Sequence, residues 1–151
     1  MPARPLVGPG GGSTVVVGVD GSKASANAID FAFGRAEAWH ARLVVLHAWI
    51  APFLVTPNGA PAIQFDEREI TEDAQRMVSE SVAGAAAEYP DVSWQTVLVS
   101  GSAAEWLVHL SESADLVVTG TRGHSDLTGL LLGSVTRHLL HHAHSPTAIV
   151  R

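Results

Sequence analysis

Three glycines and a serine carry the clearest chemistry in this chain: Gly120, Gly123, Gly133 and Ser134. Gly120 closes a short apolar, β-branched run, Leu116-Val117-Val118-Thr119, of the kind a strand buried on both faces requires. Ser134 opens a segment in which Val135, Leu139, Leu140 and Ala143 recur at helical spacing. A strand, a glycine-punctuated loop and a helix start therefore succeed one another over residues 114–135. The first turn of a helix presents N–H groups without intrahelical partners and a partial positive charge, so a phosphate placed there gains hydrogen bonds and a favourable field together. Glycines let such a ligand reach the main chain. A loop of this length in a compact domain is usually functional or mobile, which favours a binding role over a mere connection. Arg122, inside the loop, is a candidate to reach a phosphate, although a loop arginine ordinarily faces solvent.

A second group of polar residues, Asp20-Gly21-Ser22, ends the β-branched run of residues 14–19. Asp20 can accept hydrogen bonds from two sugar hydroxyls, or it can cap the helix that follows. Ser134 likewise has two roles open to it, donation to a phosphate and capping of its helix.

These residues need a scaffold, and the rest of the chain supplies one. After Ser22, apolar residues at Ile29, Ala32, Phe33, Ala36 and Trp39 mark a helix. A second strand runs from Leu43 through His47 and Ala48 to Trp49. Residues 50–64 read as a loop, with Pro52, Pro57, Asn58, Gly59 and Pro61 beside Phe53, Leu54 and Val55, and are a candidate cover for a ligand or partner. Asp66 and Glu69 resemble a capping box for a helix ending near Tyr89, with Ile70, Ala74, Met77, Val78, Val82 and Ala85 on its apolar face. Residues 92–99 alternate as an edge strand would, and Ser102 with Glu105 starts a helix through Trp106, Leu107 and Leu110. Residues 147–150 form a last strand after Pro146.

Strand and helix alternate throughout, which predicts an α/β fold: an open five-stranded parallel sheet, strand order 3-2-1-4-5, with helices on both faces. Ligands bind where that order reverses direction. The expectation is therefore that Asp20, after strand one, sits beside Gly120, at the end of strand four.

Composition narrows the classes. At 151 residues the chain is one domain's worth, read as a disordered tail over residues 1–13 and a nucleotide-binding domain over 14–151. The absence of cysteine excludes disulfides and thiolate metal sites and is compatible with a cytoplasmic location. No apolar run approaches the ~20 residues a bilayer helix needs, and the opening residues lack the apolar core of a secretory signal. A net charge of −6 without a basic stripe argues against nucleic acid and membrane surfaces as partners.

The motif as a whole resembles the universal stress protein family. That family's pattern is Gly, two residues, Gly, nine residues, then Gly with Ser or Thr, and here it is complete from Gly120 to Ser134, with Asp-Gly-Ser after the first strand. The resemblance covers residues 14–151 and implies a cytoplasmic ATP-binding regulator of stress response or dormancy. Carried over residue by residue, it implies ribose contact by Asp20, an adenine pocket lined by the Ala48 backbone, and a nucleoside border at Thr119 and Gly120, with Val19 also among the binding residues. Gly123, His124, Gly133, Ser134 and Val135 would surround the phosphates, with ATP, Mg²⁺ optional, as the ligand, and Arg122 is kept beside them as the loop candidate named above. It also implies a homodimer through residues 147–150, and the exposed backbone of an edge strand agrees.

No catalytic residue is assigned. There is no Walker motif, P-loop lysine or arginine finger, so fast phosphoryl transfer lacks its usual parts. A slow ATPase or nucleotidyl transferase, or an interaction protein with a vestigial crevice, are the alternatives. A response-regulator receiver fits the strand order but needs a phospho-accepting Asp after strand three and a late lysine, and the chain's only lysine is Lys23. His138, His141, His142 and His144 suggest a metal cluster, but no carboxylate or cysteine completes the set, and a polar helix face is the simpler account. His47 is expected to be a hydrogen-bonded core or pocket-edge residue rather than a catalyst.

Overall fold

The computed structural model describes residues 11–51, 57–59, 66–121 and 132–151. The tail expected over residues 1–13 lies for its first ten residues outside the described ones, as do Phe53, Leu54 and Val55 of the 50–64 loop.

The elements run β1 (Thr14–Gly18), α1 (Lys23–Trp39), β2 (Arg42–Trp49), α2 (Glu67–Glu88), β3 (Trp94–Ser100), α3 (Ala103–Ser111), β4 (Leu116–Gly120), α4 (Ser134–His142) and β5 (Thr147–Val150). All strand pairs are parallel, in the order β3-β2-β1-β4-β5. The expected alternation, strand order and edge position of the third strand are all observed.

Why the inner strands read as unbroken apolar runs is plain from the two layers. Val15 and Val17 of β1, with Leu43 and Val45 of β2, face α1 and α2 and pack with Ile29, Phe33, Val78 and Val82. Their alternate neighbours Val16, Val44 and Leu46 face α3 and α4 and pack with Leu107, Leu110 and Leu139. Because side chains alternate across a strand, a sheet covered on both faces needs apolar residues at every position. The edge strands need fewer, and every residue of β5 is only half-buried.

Helix ends follow local chemistry. Ser22 Oγ accepts from Ser25 N at the start of α1, and Ser102 Oγ accepts from Glu105 N at the start of α3. Asp66 caps α2 through the N–H of Arg68 rather than that of Glu69. Two residues expected on apolar faces point outward. Trp39 is 42% exposed and Leu140 is 53% exposed. Trp39 lies against the Arg35 guanidinium, which also covers Phe31, so this end of α1 shields its aromatics with a cation instead of the sheet. Leu140 follows the fully buried Leu139, and one residue of helix rotation carries it off the packed face.

Candidate functional site

The strand register leaves a notch at the carboxyl edge of the sheet. The central β1 ends at Gly18, opposite Leu46, while β2 continues to Trp49 on one side. On the other side β1 pairs with β4 only as far as Val17↔Val118, and β4 runs on to Gly120. Direction reverses between these neighbours: α1 returns the chain over one face, α4 over the other. This is the switch point expected from the sequence.

One wall of the notch is the turn after β1. Val19 is buried; its N–H donates to the Leu46 carbonyl at 2.9 Å. Its carbonyl lies 2.8 Å from Nδ1 of His47, so that nitrogen carries the proton and donates. His47 is thus hydrogen-bonded, as expected. Gly21 then adopts φ +80°, which a side chain would strain, and this lets the chain turn sharply into α1. The Asp20 carboxylate accepts from Ser22 N at 2.9 Å, and Asp20 N donates to Ser25 Oγ at 3.2 Å. The helix cap is Ser22, not Asp20, so capping does not explain the aspartate. Asp20 stays partly exposed, held by the turn it nucleates.

Across the notch, α1 presses on the end of β4. A Cβ added to Gly120 would lie 2.8 Å from the backbone carbon of Ala24 and 2.9 Å from its Cβ, so only glycine allows this approach. The contact brings the Asp20 turn and Gly120 together, as expected.

The other wall is the start of α4. Gly133 is its N-cap, in an extended conformation and with no side-chain cap, and the first turn holds no acidic residue. Ser134, expected as a possible cap, is instead the first helical residue and is exposed. A helix start without a side-chain cap leaves donors to be met from elsewhere. Val135 is half-buried, on the cluster shared by α3 and α4. Gly133 N donates to the Thr121 carbonyl at 2.8 Å, which holds the start of α4 to the end of β4, and Thr121 N donates to the Val150 carbonyl of β5 at 2.9 Å. Arg122, Gly123 and His124 lie outside the described residues.

Thr119, next to Gly120 at the end of β4, is buried at 6% exposure. Ala48 pairs with Val99 of β3 and packs, half-buried, on the α3 and α4 side beyond the end of β1. Two contributors were missed at the level of sequence. Thr136, buried at 1% exposure, donates its hydroxyl to the Gly120 carbonyl at 2.8 Å, and Ala24 supplies the contact on Gly120. Only the Thr in the first helical turn was a signal, and a weak one, because its inward direction depends on how α4 lies on the sheet.

The histidines of α4 stay apart from this arrangement. The His138 and His142 rings lie 4.5 Å apart between centroids, tilted by 40°, and His141 lies 6.4 Å from His142. Among the described residues no three His, Cys, Asp or Glu side chains are grouped to hold a metal ion. No described helix is long and apolar enough to cross a membrane.

The model of the universal stress protein family matches residues 13–151. The chain belongs to the universal stress protein family. A universal stress protein of Mycobacterium tuberculosis is 38% identical over 137 residues, 91% of this chain and 45% of that protein. One from Mycolicibacterium smegmatis is 36% identical over 137 residues, again 91% of this chain and 45% of its own length. The chain thus spans about half the length of the curated relatives it matches. Among solved structures, a universal stress protein in complex with cAMP superposes with a TM-score of 0.68 at 29% identity, covering 93% of this chain and 97% of that one. UspA from Lactobacillus plantarum gives a TM-score of 0.70 at 21% identity over 92% and 97% of the two chains, which supports the fold.

Proposed function

We propose that this chain is a nucleotide-binding universal stress protein that takes an adenine nucleotide, ATP first among them, in the notch between β1 and β4. The observation that carries this reading is the uncapped start of α4 beside the Asp20 turn at the sheet's switch point. Donors at a helix start suit phosphate, and a carboxylate suits sugar hydroxyls. The cAMP complex of a 29% identical family member supports an adenine nucleotide as the ligand class.

In this reading Asp20 accepts from the ribose, and Val19, Ala48, Thr119 and Gly120 border the nucleoside. Gly133, Ser134 and Val135 offer main-chain donors to the phosphates, together with Arg122, Gly123 and His124 of the loop. The residues fit the group: a carboxylate lies on the sugar side and no acidic residue occurs in the first turn of α4 to repel phosphate. The sequence carries no Walker motif and no P-loop lysine, and in this reading the role is nucleotide-dependent regulation of a stress response or of dormancy, in the cytoplasm, rather than fast turnover. Two copies are expected to pair through the outer edge of β5.

Equilibrium titration of ATP, ADP, AMP, cAMP and adenosine, each with and without Mg²⁺, tests the ligand. Dissociation constants below a millimolar for ATP are expected, and the absence of binding by every adenine compound would overturn the proposal. Sedimentation of the protein at micromolar concentration should show a dimer; a monomer there removes the β5 interface.

A further inference from the structure

The geometry points to Thr136 as the positioning residue that holds the phosphate-binding end of α4 against the sheet, an inference that rests on the nucleotide reading above. Pairing of β4 with β1 stops at Val118, while pairing with β5 continues through Gly120↔Val150. Gly120 therefore stands where β1 has already ended, and its buried carbonyl needs a donor that the β1 ladder does not supply. Thr136 Oγ1 meets it at 2.8 Å from the first turn of α4; Thr119 Oγ1 lies at a much poorer 3.4 Å.

The same residue thus joins both walls of the notch. Its backbone belongs to the helix turn without a side-chain cap, and its side chain is tied to Gly120, which in turn is pressed on Ala24 behind the Asp20 turn. At the loop's own ends, Gly133 N on the Thr121 carbonyl is the companion bond. Together they fix the distance and tilt of the helix start relative to the ribose side, so that sugar and phosphate are gripped at once. A site held this way loses less freedom on binding a ligand that spans it. Thr136 touches no ligand in this scheme; it acts through the position of the Ser134 and Val135 amides.

The consequence is selective. Removing the hydroxyl should weaken ligands that reach α4 more than a ligand confined to the sugar side. The test is titration of ATP and of adenosine into wild type, Thr136→Val, Thr136→Ser and Leu139→Ala. Leu139 packs α4 onto the core, so its truncation destabilises the same helix without touching the Thr136 bond. Thr136→Val is expected to weaken ATP roughly tenfold, the size of one lost buried hydrogen bond, and to leave adenosine within about twofold. Thr136→Ser should restore ATP binding, and Leu139→Ala should lower the melting temperature while keeping the ATP-to-adenosine ratio. If Thr136→Val does not fold, Thr136→Ala is measured in its place, since it removes the hydroxyl without setting a methyl against the carbonyl. Unchanged ATP affinity in the folded hydroxyl-free variant, or an equal loss of selectivity in Leu139→Ala, overturns the positioning role while leaving nucleotide binding intact. A wild type that binds neither ligand overturns both.

Discussion

The first three helices and the last start differently. Each of α1, α2 and α3 begins at a residue whose own side chain, Ser22, Asp66 or Ser102, accepts one of the free N–H groups. In contrast, α4 begins at Gly133, which offers nothing. The closed starts answer a stability need within the chain. The fourth gives up that contribution and, among the described residues, has no side chain on its first donors, at the one place where the sheet reverses direction. The difference teaches that a missing cap can be as informative as a motif, provided the fold places it at a crevice.

The strongest way to break this comparison is to close the fourth start. Gly133 has φ −67° and ψ 164°, which an aspartate adopts without strain, so Gly133→Asp should cap α4 as Asp66 caps α2. ATP affinity is expected to fall on the order of a hundredfold, because the new carboxylate takes the donors and repels phosphate. The free protein should at the same time melt roughly 1–2 °C higher, since Asp improves on Gly as a cap by only a few tenths of a kcal/mol. Calorimetric titration and a thermal melt check the two halves, and undiminished ATP binding would end the phosphate assignment.

Next in size is the opposite wall. Asp20→Ala should weaken ATP and adenosine alike, each about tenfold, because both carry the ribose. A loss confined to ATP in the same titration would move Asp20 to the phosphate side.

Closed starts should behave oppositely to the open one. Ser102→Ala removes the bond to Glu105 N and should cost about 1 kcal/mol, seen as a melting temperature lower by roughly 2–4 °C, with nucleotide affinity unchanged. A marked change in affinity would mean that α3 takes part in the site.

The smallest effect concerns a helix end without matching charge. Tyr89 caps the carboxyl end of α2, where the neighbouring Glu88, then burial, then Glu37 and Asp30 raise its phenol above the ordinary value of 10.0. A phenol that holds its proton more firmly in the folded protein contributes stability that is lost as pH rises through its own titration. Tyr89 is the only tyrosine, so phenolate absorbance followed against pH should show a single midpoint above 10.0 that moves down in Glu88→Gln.

Much of the fold was legible because the signals are local or periodic. Apolar runs at residues 43–46 and 116–118 announced strands covered on both faces, and Ser102 with Glu105 announced a helix start. Misplacements came where neighbours decide. Trp39 matched the apolar period of α1 yet is 42% exposed with the Arg35 guanidinium over its ring, since periodicity along the chain does not fix what each turn of the helix packs against. Asp20 and Ser134 each carried a capping alternative, and the caps fell instead to Ser22 and Gly133, since cap position turns on where the backbone first becomes helical.

By itself, the sequence determined the alternation of strands and helices, the family to which the chain belongs and the glycine spacing from Gly120 to Gly133. These depend on residue type and separation along the chain, which pattern alone expresses. Tertiary structure alone decided that Ala24 lies on Gly120, that β1 stops short of both neighbours, and that Thr136 turns inward to the Gly120 carbonyl. Each of those contacts joins segments brought together only when two crossovers pack on opposite faces of the sheet, and no local pattern encodes which atoms then meet.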